Sequence, residues 1–158
     1  MLAPLIRKIS NKAPVALLKI LGNLWPPYLF AGIRINSMTP DFRYVRVHLN
    51  FSWYNRNYVG TQFGGSIYAM TDPFYMMMLI NNLGRDYIIW DKASQIQFIK
   101  PGKTRLSAEF RIDEQLLNTV VEMTKNGEKY IFDLPVSVND TEGQIVAKVT
   151  KTLYVKRK

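Results

Sequence analysis

Residues 57–72 read Asn57-Tyr58-Val59-Gly60-Thr61-Gln62-Phe63-Gly64-Gly65-Ser66-Ile67-Tyr68-Ala69-Met70-Thr71-Asp72, and the apolar run continues to Leu83 before Gly84. The turn formers Asn55, Asn57, Gly60, Gly64 and Gly65 describe a loop. From Ile67 to Leu83 apolar side chains, Met76-Met77-Met78-Leu79-Ile80 among them, surround most of a helical circumference, as in a helix enclosed by other structure. Gly84 supplies the stop. Pro73 lacks an N–H and leaves the Ala69 carbonyl without its helical donor, so a kink is expected beside Asp72.

Working outward, the flanks read as strands. Gly32 to Asn36 is strand-like, Thr39-Pro40-Asp41 is a turn, and Val45, Val47, Leu49 and Phe51 alternate onto one face. His48 falls on the other face with Arg46 and Asn50, as an ordinary surface strand residue. Downstream, Ala93 to Ile99 is a strand ending at the turn Lys100-Pro101-Gly102-Lys103, and Leu106 to Ile112 is another. Asp113 caps a short helix carrying Leu116, Leu117, Val120, Val121 and Thr124, closed by Gly127. Strands near Tyr130 to Val138 and Ile145 to Val155 flank the hairpin signal Asn139-Asp140-Thr141-Glu142-Gly143. Two strands, a buried helix and four further strands call for antiparallel pairing, hence an α+β class.

The N-terminus has its own pattern. Apolar residues from Leu2 to Leu24 suit one helical face, broken at Pro14 and ended by Pro26-Pro27. Lys12 and Lys19 interrupt it, so it is too short and too charged to span a bilayer. Two readings stay open: a helix packed on the body of the domain, or one lying on a membrane surface with Arg7, Lys8, Lys12 and Lys19 toward the lipid. The chain is read as one domain over residues 1–158, with residues 1–30 as a helical extension.

Composition removes whole classes of chemistry. Among 158 residues there is no cysteine and a single histidine, so disulfides, thiol nucleophiles, thiolate metal sites and histidine-rich metal sites are excluded, and no metal is expected. A net charge of +9 favours polyanions. The basic residues are scattered except for Lys156-Arg157-Lys158, so no nucleic-acid partner is expected. No convincing signal-peptide pattern is seen, so a cytoplasmic location is expected.

Chemistry concentrates at the central stretch. Paired glycines at a helix start let the backbone approach a ligand, and the free N–H groups there can hold a developing oxyanion. A carboxylate at Asp72 on an otherwise apolar helix needs a partner or a purpose. Seven residues separate Gly65 from Asp72, about 10 Å along a straight helix axis. One helix can hardly offer both groups to a single carbonyl, so two antiparallel helices from two subunits are expected to build composite sites.

The run from Asn57 through Gly64-Gly65 to Asp72 resembles the signature of hot-dog fold acyl-CoA thioesterases, especially the phenylacetate-degradation type. Tyr54-Asn55-Arg56-Asn57, Phe63-Gly64-Gly65-Ser66 with Asp72-Pro73-Phe74, Trp90-Asp91-Lys92-Ala93 and Lys151-Thr152-Leu153-Tyr154-Val155 resemble, more closely and over nearly the whole chain, a bacterial hot-dog family of undefined function. The resemblance implies an antiparallel sheet wrapped around a long central helix, and a homodimer or tetramer. It implies Asp72 as general base or nucleophile, Gly64 or Gly65 as oxyanion donor, and Asn57 orienting water or the thioester carbonyl. Ser94 is placed near the partner's site. Where the thioesterases commonly carry a histidine, this chain has Phe63 preceded by Gln62, which leaves the backbone donors but removes that side-chain polariser. No cofactor is implied beyond coenzyme A as part of the substrate, with Lys100, Lys103 and Arg105 as candidates for its phosphates. The alternative is a non-catalytic acyl or fatty-acid binding protein, in which the methionines enclose a chain; a third reading is membrane docking through residues 1–24.

Overall fold

The computed structural model describes residues 15–158, so the Leu2-to-Ala13 part of the expected N-terminal helix lies outside the described residues. Helices α1 (Val15–Leu24) and α2 (Pro26–Ala31) precede strands β1 (Ile33–Met38) and β2 (Tyr44–Leu49). Helices α3 (Gly64–Ala69) and α4 (Phe74–Leu83) follow, then β3 (Tyr87–Phe98), β4 (Leu106–Arg111), α5 (Glu114–Thr124), β5 (Lys129–Asn139) and β6 (Ile145–Arg157). The strands form one antiparallel sheet in the order β1-β2-β4-β5-β6-β3. The architecture is α+β, as the alternation implied.

One face of the sheet buries the central helical segment. Val45, Val47 and Leu49 of β2, Phe110 of β4 and Val149, Leu153 and Val155 of β6 share a core with Phe74, Met78 and Leu79 of α4. Phe74 and Tyr75 pack their rings 5.0 Å and 5.2 Å from that of Phe110. The Tyr75 hydroxyl donates to the Pro135 carbonyl at 2.9 Å, which satisfies its one polar atom, and burial pushes its pKa up to about 12. Met70 and Met78 are wholly buried and fill the core.

The expected kink at Pro73 is a full break. Residues Met70 to Pro73 leave the helix, and the Ala69 carbonyl that Pro73 cannot serve instead accepts the Asp72 N–H at 3.2 Å. The Asp72–Pro73 peptide is cis. Asp72 therefore occupies a turn between α3 and α4, and the 10 Å separation expected for a straight helix does not apply as it stands.

The two edges of the sheet are finished differently. Along β1, the Asn23 side chain of α1 accepts the Ile35 N–H at 2.7 Å and donates to the Ile35 carbonyl at 3.2 Å, while Lys19 donates to the Asn36 carbonyl. This fits the reading in which the helix packs on the domain, although Ile20 and Leu24 remain exposed. Strand β3 pairs with β6 on one side, and its other side has no partner among the described residues. A bare twelve-residue strand is a template for another strand.

Candidate functional site

The glycine loop is built by its own polar side chains. Asn57 donates to the Thr61 hydroxyl at 2.9 Å and the Gln62 carbonyl, and accepts the N–H groups of Val59 and Thr61. Both halves of its amide are thus engaged in holding residues 57–62. Gln62 is buried and donates to the carbonyls of Asn50 and Thr104, tying the loop to the ends of β2 and β4, while its own N–H reaches the Gly102 carbonyl at 2.8 Å. The turn carrying Lys103 is thereby fixed beside the glycines.

At the start of α3 the Phe63 carbonyl accepts the N–H groups of Ser66 and Ile67. The Gly64 and Gly65 N–H groups have no acceptor among the described residues. A side chain at Gly64 would lie 3.1 Å from the Phe98 ring, and one at Gly65 would run into the Phe63 ring. Both rings are half-exposed and would have to move aside, by a few tenths of an ångström at Gly64 and by more at Gly65. Phe63 itself, 55% exposed, lies across Gly65.

Asp72 stands in the break that follows α3. Its carbonyl accepts a hydrogen bond from the Tyr28 hydroxyl, and burial, then the Asp72 charge, push the Tyr28 pKa far up, so the tyrosine stays a neutral donor. The carboxylate is half-exposed, at 50%. Its Oδ1 accepts from Lys151 Nζ at 3.0 Å, and Oδ2 has no hydrogen bond among the described residues.

Lys151 is the unexpected member of the site. It occupies an inward position of β6 between Val149 and Leu153 and is 1% exposed. Besides Asp72 it faces Asp91 Oδ2 of β3 at 3.4 Å and stands 5.7 Å from the Tyr68 ring centre. A buried ammonium needs such partners, since leaving water unpaired would be prohibitive. Asp91 is 17% exposed. Burial first, and the neighbouring Asp72 next, raise its pKa from 3.8 to about 6 against the opposing pull of Lys151. A carboxyl whose folded pKa lies above its unfolded one stabilises the fold below pH 3.8 and loses that contribution as pH rises through 6. Asp91→Asn should therefore gain melting temperature relative to wild type between pH 4.5 and pH 7.5 in paired thermal scans; a difference that is flat with pH would refute it.

The remaining sequence candidates separate. Ser94 faces Lys151 across the β3–β6 ladder, in the same chain, with its hydroxyl buried and without a partner. Lys100 is committed to Asp140 at 2.6 Å. His48 lies on the outer sheet face, where burial, then Arg105 and Arg46, lower its pKa. Lys151, Asp91 and Tyr28 were missed as site residues. The signal for Lys151 was a charged residue in an inward register position of an apolar, alternating strand. Among the described residues no group of three or more His, Asp or Glu side chains is arranged to hold a metal ion, and no helix is long and apolar enough to cross a membrane.

Residues 14–155 match the family profile of the domain of unknown function DUF4442. The chain belongs to the DUF4442 family. No curated protein matches this DUF4442 sequence. Solved structures do: a Pseudomonas aeruginosa protein of unknown function, named a probable thioesterase, is 19% identical, with 92% of this chain and 97% of that one covered at a TM-score of 0.79. A Chlorobaculum tepidum protein of unknown function is 17% identical, covering 90% and 94% at 0.71. A Haemophilus influenzae thioesterase is 11% identical, covering 91% of each chain at 0.64. At these identities the likeness fixes the fold, and the DUF4442 chain has the hot-dog fold that its motifs resembled.

Proposed function

We propose that this DUF4442 protein hydrolyses acyl thioesters carried on coenzyme A, at a site formed between Asp72 of one protomer and the Gly64 and Gly65 amides of a second. The observation that carries this reading is the Asp72 carboxylate: half-exposed at a break in an otherwise enclosed helix, gripped on Oδ1 by buried Lys151, with Oδ2 turned loose. A carboxylate held at one oxygen and open at the other is aimed rather than rotating. Two structural relatives bear the word thioesterase in their names, which agrees with this chemistry.

In the reaction, Asp72 Oδ2 takes a proton from water, or attacks directly, as the new C–O bond forms at the thioester carbonyl. The tetrahedral oxygen takes hydrogen bonds from the glycine N–H groups. Helix α3 has six residues, so these amides act as local donors and owe little to a macrodipole. Collapse breaks the C–S bond and releases the thiol. With Lys100 paired to Asp140, Lys103 and Arg105 are the cations left from the three expected for the phosphates.

A second protomer is part of the reading. The hollows along α5 and beside His48 and Arg105 are not lined by Asp72, and the reading takes the walls around an acyl chain from the second protomer. The open edge of β3 is where a second copy can add its own β3 and extend the sheet. Sedimentation should give at least twice the 18.3 kDa chain mass, and β3 amides that point away from β6 should exchange slowly. Monomer mass with fast exchange along β3 would remove the composite site.

The Phe63 ring lying across Gly65 favours a second reading, a non-catalytic acyl carrier in which the amides are covered. A thiol-release assay over acyl-CoA chain lengths separates the two. Turnover supports hydrolysis, whereas a co-purified lipid with no turnover on any thioester selects the carrier.

A further inference from the structure

Asp91 and Ser94 are three residues apart, and in a regular strand they would face opposite sides of the sheet. Here they do not. The ladder runs Asp91 to Leu153, then Ala93 to Thr152 and Ser94 to Lys151, so Lys92 is an extra residue, a bulge. Leu153 and Lys151 both point inward, and the bulge turns Asp91 and Ser94 to that same inner face. Without Lys92 as the insertion, the carboxylate would lie on the outer surface, far from Lys151.

The cluster so assembled is over-supplied with acid. Two carboxylates, Asp72 at 3.0 Å and Asp91 at 3.4 Å, face the single ammonium of Lys151, with Tyr68 and Ser94 as its neutral neighbours. Two anions beside one buried cation leave an excess charge in a poorly hydrated place, and binding one proton removes it. Asp91 is the more buried carboxyl and the farther from Lys151, and its Oδ1 is buried without a partner. An orphan acceptor is unfavourable as an anion and becomes a donor once protonated.

We propose that the Asp72–Asp91 pair facing Lys151 takes up one proton, and that Asp91 is the further acid–base residue that stores this proton when it is released during turnover. The catalytic half of this rests on the thioester reading above. Substrate meets the exposed Asp72; water forms the C–O bond and gives its proton to Asp72 Oδ2, from where it settles in the pair. When the C–S bond breaks, the proton returns to the departing sulfur, so acyl thioester and water become carboxylic acid and thiol with nothing else consumed.

Carboxyl-carbon NMR titration of aspartate-labelled protein, with Asp91 assigned through Asp91→Asn, reads the shared proton without any substrate. In Asp72→Asn the Asp91 midpoint should fall by roughly one pH unit, because the neighbouring negative charge is gone. An Asp91 midpoint identical in wild type and Asp72→Asn overturns the proposal. In the turnover assay, Asp91→Asn should lower kcat roughly 10²-fold with little change in KM and shift the acidic limb of the pH profile, with partial rescue by Asp91→Glu. Wild-type kcat and an unmoved acidic limb in Asp91→Asn would overturn the storage role. If wild type turns over no thioester while the NMR midpoint still moves, the shared proton stands and it is the thioester reading that has failed.

Discussion

Lys151→Met should destabilise the fold by about 3 kcal/mol in urea unfolding at pH 7.5, the low end of what removing one partner of a buried ion pair does. The hydrophobic replacement has nearly the right length and sits among Val149 and Leu153, so packing is not the source of the loss. The source is electrostatic. Asp91, 17% exposed, would face Asp72 with no cation between them. The half-exposed Asp72 can turn to water, which is why the low end applies. Two controls follow from the same cause. Lowering the pH protonates Asp91, the more readily once Lys151 no longer opposes it, and should shrink the loss. The double variant Lys151→Met/Asp91→Asn, which removes the stranded charge together with the cation, should recover most of it, giving a coupling energy that a pure packing defect would not show. A loss unchanged by pH and by the second substitution would mean that the ion cluster is incidental.

The strands and their antiparallel pairing were accessible from alternation, because β2, β4, β5 and β6 each bury one face and their turns carry explicit chemistry; the order β1-β2-β4-β5-β6-β3 belongs to the finished sheet. The Asp140 side chain caps its own hairpin through the Glu142 and Gln144 N–H groups, and Asp113 caps α5 through Leu116 N–H, both as residue type and position imply. Strand β3 was legible only from Ala93 onward. The bulge at Lys92 shifts its phase, so Tyr87 to Asp91 do not continue the period-two pattern of the residues after them. That same bulge hid Asp91, whose inward aim no periodicity predicts. The break at Pro73 was foreseen as a kink, but its extent depends on which turn hydrogen bonds Thr71 and Asp72 find, and that is decided in three dimensions. Local spacing showed which residues sit together in the chain; the partners that hold them, 79 residues apart for Lys151 and Asp72, belong to the register of the finished sheet.

Asp72→Asn should lower kcat on the best acyl-CoA by roughly 10²- to 10⁴-fold while leaving KM near its wild-type value, since the amide keeps the shape of the carboxylate but cannot take the proton. Equal turnover by the two proteins would exclude Asp72 as the reacting group. The same variant also decides whether the site is composite. Gly64→Pro deletes one N–H at a first helical position, where proline is tolerated, and the extended backbone of Phe63 before it accommodates that ring. It should cost roughly 10²- to 10³-fold in kcat, as loss of one oxyanion donor does. If Asp72 of one protomer works with the amides of another, a mixed dimer of the two variants regains one intact site, because each chain supplies what the other lacks. Mixing the two nearly inactive proteins in equal amounts should then restore about a quarter of wild-type activity, half of the dimers being mixed and each carrying one good site of two. Were both groups to act within one chain, every mixed dimer would hold two defective sites and mixing would restore nothing.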